Sequence, residues 1–123
     1  LAHDFVMDHR NSPDRALAAR HKVLDPPMVV YVYSVPGPNE EVTRENYAAV
    51  CCAVQNILLA GAAEGLAVSW ETGGLTRHPD LKETLGAEAD WMMVGMLSIG
   101  VSAESTASSR SPASNFIRWF GQE

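Results

Sequence analysis

The longest regular pattern in the chain runs from Thr43 to Glu64. Tyr47, Val50, Val54, Ile57, Leu58, Gly61 and Ala62 recur there at three- and four-residue spacing. This predicts an α-helix about 33 Å long at 1.5 Å per residue. Thr43 stands where an N-cap is wanted, and Gly65-Leu66 where a Schellman motif would stop the helix. The opposite face, Ala48, Ala49, Cys51, Cys52 and Ala53, is small and equally apolar. A helix that is apolar all round needs cover all round. A chain of 123 residues has too little material to surround it, so a subunit interface is expected along this helix.

Two further apolar runs are short, β-branched or aromatic, and predict strands. Met28 to Tyr33 is apolar at every position, the mark of a strand covered on both faces. Trp91 to Val101 is the second, softened by Gly95 and ended by Gly100. Leu66 to Trp70 reads as a shorter strand, with Glu71-Thr72-Gly73-Gly74 as the turn or loop behind it. Ser34 to Asn39 holds two prolines and a glycine and must be a loop. Pro79 to Leu85 suits a short helix that begins on proline and stops at Gly86. A helix from Pro13 to Val23, capped by Ser12, carries only a thin apolar stripe at Leu17, Ala18 and Leu24. Residues 102–115 are rich in serine and alanine and are expected to run extended over another surface. The tail Phe116-Ile117-Arg118-Trp119-Phe120 is too aromatic to be left in water and should dock. Neither a repeat nor an internal boundary interrupts residues 1–123, which read as one domain.

Composition adds limits. A hydrophobic fraction of 46% with 20% charged residues is ordinary for a folded protein. The net charge of −6, with no basic cluster, opposes binding to nucleic acid or an anionic membrane. No uninterrupted apolar run reaches the roughly 18 residues that span a bilayer, and no N-terminal signal pattern occurs, so a cytoplasmic location is expected. Cys51 and Cys52 are adjacent, a spacing that disfavours pairing, and are expected as buried, reduced thiols. His3, His9 and His21 lack the spacing of a helical metal pair, and no metal site is expected.

The order of these pieces carries more than any one of them. The stretch Asn46 to Gly74, NYAAVCCAVQNILLAGAAEGLAVSWETGG, resembles the nitroreductase family, with its long small-residue helix bearing a Gln-Asn pair (Gln55-Asn56). An Ala-x-x-x-Gly-Leu exit follows at Ala62 to Leu66, then a strand ending in a Trp-x-Thr-Gly-like loop. The likeness continues through LKETLGAEADWMMVGMLSIGVSAE and ends at Ser109-Arg110-Ser111-Pro112, similar to the family's Arg-x-Pro. It covers about residues 27 to 120. The chain thus looks like the C-terminal part of a nitroreductase-like domain. The family's N-terminal Arg-Arg-Ser-x-Arg-like motif has no counterpart before Asp25, where Arg10, Arg15 and Arg20 stand five apart, and Ser108 replaces a frequent basic residue.

The resemblance implies an α+β fold with a mixed or antiparallel central sheet and the long helix buried at a homodimer interface. It implies FMN as cofactor, NAD(P)H as co-substrate, and a small electron-poor acceptor such as a nitroaromatic or quinone. Trp70, Thr72, Gly73 and Gly74 would lie at the flavin, their loop turning backbone N–H groups toward its N5 and O4 edge. Side chains at Gly73 and Gly74 would obstruct that approach or forbid a positive φ. Arg110 would fork onto the FMN phosphate. Glu71 is expected as a solvated acid, and no side chain need act as acid or base, because the chemistry belongs to the cofactor. Two other readings stay open: a flavin-binding or flavin-storing relative without catalysis, and a dimerisation module whose flavin site is gone.

Overall fold

The computed structural model describes residues 12–103 and 109–121. His3, His9, Arg10, Ser108 and the middle of the Ser/Ala-rich stretch lie outside the described residues. The elements are α1 (Pro13–Leu24), β1 (Met28–Ser34), α2 (Glu40–Ala63), β2 (Ala67–Glu71), α3 (Leu81–Leu85) and β3 (Met92–Gly100). A 3-10 turn, Gly74–Arg77, links β2 to α3, and another, Ala113–Asn115, follows β3.

The three strands form an antiparallel sheet in the order β1-β3-β2. The last strand in sequence is therefore central, and β1 and β2 run in the same direction on either side of it. Their C-terminal ends lie at one end of the sheet. With α2 packed on one face, this is the expected α+β class.

Helix α2 begins earlier than the periodicity alone indicates. Asn39, not Thr43, is the N-cap, its side chain accepting from the Val42 N–H at 2.9 Å. Thr43 fastens the entry loop instead, donating its hydroxyl to Asn39 O at 2.8 Å and accepting from the Gly37 N–H at 3.0 Å. Glu40 and Glu41 fill the first turn, where negative charge suits the helix dipole. The far end is the Schellman stop foreseen. Gly65 takes φ 74°, Leu66 N–H reaches Gly61 O at 2.8 Å, and Gly65 N–H reaches Ala62 O at 3.2 Å.

Val54 is fully buried between this helix and the sheet, against Val94 and Leu97. Val30, Val32, Val68, Trp70 and Ile99 complete the sheet side, and Tyr47, Val50, Cys51 and Leu58 the helix side. Strict alternation would not put Val94 on the same face as Leu97 and Ile99. A β-bulge does so: Val32 faces Gly95 but Tyr33 faces Met93, so β3 carries one extra residue there.

The remaining surface of α2 is uncovered. Ile57 is 41% exposed and Leu59 60%, and Cys52 is exposed while Cys51 is half-buried. The thiols are free, as expected, but they are not both buried. Helix α2 is long and apolar enough to cross a membrane by length and composition alone, and little of it is buried within this chain. The uninterrupted-run criterion overlooked this because Gln55 and Asn56 break the run without lowering the average much.

Other expectations need correction. Strand β1 is half-buried over residues 29–33 and Met28 is 57% exposed, so its two faces are only partly covered within the chain. Helix α1 forms, but Ser12 makes no side-chain cap bond, and Ala16 is its buried residue. Helix α3 starts at Leu81, because Pro79 belongs to the turn that Leu81 N–H closes on His78 O at 3.1 Å. The aromatic tail does not dock on this chain: Phe116, Trp119 and Phe120 are 78%, 76% and 92% exposed.

Candidate functional site

The loop singled out in the sequence sits where β2 leaves the sheet. Trp70 is the last apolar residue of the strand, and its half-buried side chain packs against the core. The indole Nε1–H donates to Val94 O at 3.2 Å. The ring lies over Gly95, where an added Cβ would overlap Trp70 Nε1 and come within 2.9 Å of Glu71 O. Trp70 thus anchors the start of the loop, with its one polar hydrogen already used.

Glu71 is not a free solvated acid. Lys22 on α1 donates to its Oε2 at 2.6 Å, and the Glu71 side chain is only 22% exposed. Ser98 adds a longer bond from its hydroxyl to Lys22 O at 3.4 Å, so α1 is tied to the sheet beside the loop.

Beyond Glu71 the chain is open. Thr72, Gly73 and Gly74 are all exposed, and a Cβ built on Gly73 meets nothing within 4 Å. Gly73 has φ −73° and ψ −168°, ordinary extended backbone that any residue adopts. A positive φ is therefore no reason for glycine at position 73; only something outside the chain would make a side chain there costly. The loop is held from within by Thr76, which donates both its N–H (3.1 Å) and its hydroxyl (2.8 Å) to Gly73 O. In a trans peptide the carbonyl and the next N–H point in opposite directions. With Gly73 O turned into the 3-10 turn, the Gly74 N–H points away from that turn, and at its first residue it has no partner within the turn.

Thr76, 8% exposed, escaped the sequence reading. The signal was present, since a threonine three residues after a glycine can close its hydroxyl back onto the backbone. Arg110 lies in an exposed segment and makes no hydrogen bond or ion pair among the described residues, so no contact ties it to the loop. Gln55 and Asn56 are exposed on the outer part of α2.

The comparisons with known proteins agree with this loop-bearing α+β layout. The model of the nitroreductase family matches residues 2–101. The chain belongs to the nitroreductase family. Two Escherichia coli proteins, of strain K12 and of O157:H7, both named "Putative NAD(P)H nitroreductase YdjA", are 31% identical over 91 residues, which is 72% of this chain and 50% of theirs. The crystal structure of a nitroreductase-like family protein from Bacillus cereus superposes with a TM-score of 0.79 at 26% identity, covering 98% of this chain and 67% of that one. The chain spans half the length of the curated relatives it matches. The nitroreductase match begins well before the residue-27 start expected from motifs, and it ends before Arg110. Nitroreductases as a family are oxidoreductases. Nitroreductases generally use a flavin and NAD(P)H.

Proposed function

We propose that the protein carrying this chain is an FMN-dependent oxidoreductase, moving hydride from NAD(P)H to an electron-poor acceptor such as a nitroaromatic or quinone. The observation that carries the reading is the Thr72–Gly74 loop. It is pinned from inside by Thr76, turns the Gly74 N–H away from the 3-10 turn, and leaves open space above Gly73. That arrangement fits a flat ring edge with oxygen and nitrogen acceptors.

When bound, FMN supplies the hydride-accepting and hydride-donating ring. The chain's own part is binding and electrostatics. An N–H from Gly74 would stabilise negative charge on a bound flavin without a titrating side chain. Trp70, locked over Gly95 and bonded to Val94 O, holds the loop's first residue in place. Lys22 restrains Glu71, the strand residue that precedes the loop. Arg110 is assigned to the phosphate end, where a guanidinium fork suits two phosphate oxygens.

The uncovered face of α2 supports a homodimer. Ile57 and Leu59 on that face are 41% and 60% exposed. A second subunit, rather than lipid, suits a helix whose Val54 side is already packed on a sheet and whose first turns carry Glu40, Glu41, Arg44 and Glu45. The acceptor is then a small molecule and the location cytoplasmic.

The visible spectrum of the purified protein tests the reading. Flavin absorbance that bleaches on adding NADH or NADPH is expected. Colour that persists under reductant points to flavin storage, and a protein that takes up no FMN overturns the flavin site.

A further inference from the structure

Glu71 is the only ionisable residue between Glu64 and Arg77, and it closes β2 immediately before Thr72–Gly74. Consecutive Cα atoms lie about 3.8 Å apart, so no more than about 7 Å of extended backbone separates Glu71 from Gly73. A formal negative charge thus stands beside the loop assigned to the flavin.

The sheet decides which way that charge faces. Strand β2 pairs Trp70 with Leu97 and Glu71 with Met96. Trp70 and Leu97 pack toward α2, so Glu71 and Met96 face the other side of the sheet. Met96 is 1% exposed there, and a lone carboxylate next to it would forgo part of its hydration. Lys22 Nζ meets the carboxylate at 2.6 Å, with the Glu71 side chain 22% exposed and that of Lys22 56%. Ser98, on the same side as Met96, donates its hydroxyl to Lys22 O at 3.4 Å. Backbone and side chain of Lys22 are therefore both directed to this spot. An ion pair so near the surface adds little to folding stability. Its charges nonetheless act over about 8 Å at physiological ionic strength, which reaches the loop.

We infer that Lys22 is an electrostatic positioning residue, which cancels the charge of Glu71 beside the loop and so sets the reduction potential of a bound flavin. This rests on the oxidoreductase reading. Hydride from NAD(P)H brings one hydrogen and two electrons to the ring and leaves NAD(P)⁺, so the flavin gains one net negative charge. A bare carboxylate nearby opposes that gain, and a bare ammonium favours it. Because the Lys22 stem is half in water, its charge can swing away once Glu71 is neutral. Losing the lysine therefore matters more than losing the acid.

The test is the flavin midpoint potential of the FMN-loaded protein and four variants, equilibrated against a redox dye at low and high salt. Lys22→Met should lower the potential, shifting the reduction equilibrium about three- to tenfold, or about 15–30 mV for a two-electron couple. Glu71→Gln should raise it by less, and the Lys22→Met/Glu71→Gln double variant should return near the parent. Lys22→Arg, which keeps the charge, should stay at the parent value, and high salt should shrink every shift. Melts of the flavin-free proteins should lie close together, showing that the fold is not what moved. Single variants that shift in the same direction, or potentials that stay level with FMN bound, overturn the inference and leave the flavin site standing. A parent protein that takes up no FMN overturns the oxidoreductase reading, and this inference with it.

Discussion

The middle of the sheet and its end at Thr72–Gly74 share a strand and are built on opposite terms. In the middle, Gly95 has the Trp70 indole laid directly over it, and a single added carbon would overlap Nε1. At the end, Gly73 has ordinary backbone angles and open space above it. Both residues are glycines in apolar or small-residue surroundings. One is required by the chain itself. The other can be required only by something that binds to it. The contrast separates residues that hold the fold from residues that serve a ligand.

The largest expected effect lies in the closed region. Val54→Asp places a carboxylate in a fully buried position with no partner, and should cost on the order of 4–5 kcal/mol. Ile57→Asp, on the same helix but 41% exposed, should leave the chain folded and break the dimer. Denaturant melts and light scattering on the pair read the difference. If Ile57→Asp unfolds the chain as Val54→Asp does, the two faces of α2 are not distinct. If it stays dimeric, α2 is not the interface.

Gly95→Ala comes next. The indole cannot retreat without losing its bond to Val94 O and pressing on α2, so a loss of about 2–3 kcal/mol is expected. A melt within about 0.5 kcal/mol of the parent would show that Trp70 does not close over this glycine.

The smallest effect on stability belongs to Gly73→Val. Its backbone angles accept a side chain and nothing crowds it, so stability should change by less than about 1 kcal/mol. Flavin occupancy or the rate of bleaching should nonetheless fall. Normal flavin behaviour in this variant would mean that the loop faces only water.

Much of this division was legible in the sequence in one half and not in the other. Helix α2 and both long strands announced themselves because burial imposes a period and Gly65 a stop. The N-cap was missed because Asn39 and Thr43 both offer an oxygen four residues apart, and only the path of the Gly37 loop decides between them. The place of Trp70 was not legible, since it depends on a bulge that turns Val94 inward and on Gly95 lying beneath the ring. The loop at Thr72–Gly74 was found through a family likeness, and Thr76, which fixes its shape, came only with the structure. Glu71 and Lys22 stand 49 residues apart, and no local pattern could have joined them.

The strand order has a consequence for how the chain comes together. Among the described residues β1 and β2 do not pair with each other; each pairs with β3, the last of the three to leave the ribosome. Tyr31 must wait for Met96, and Trp70 for Leu97, before either gains a backbone partner. Until Met92 to Gly100 has emerged, β1 and β2 lack the strand that they pair with among the described residues, and α2 lacks Val94 and Leu97, which close its core. Long-range pairing of this kind is slow to find and leaves sticky edges open meanwhile. The central strand therefore acts as a keystone set last, and the interval before it arrives is when the growing chain most needs protection from its neighbours.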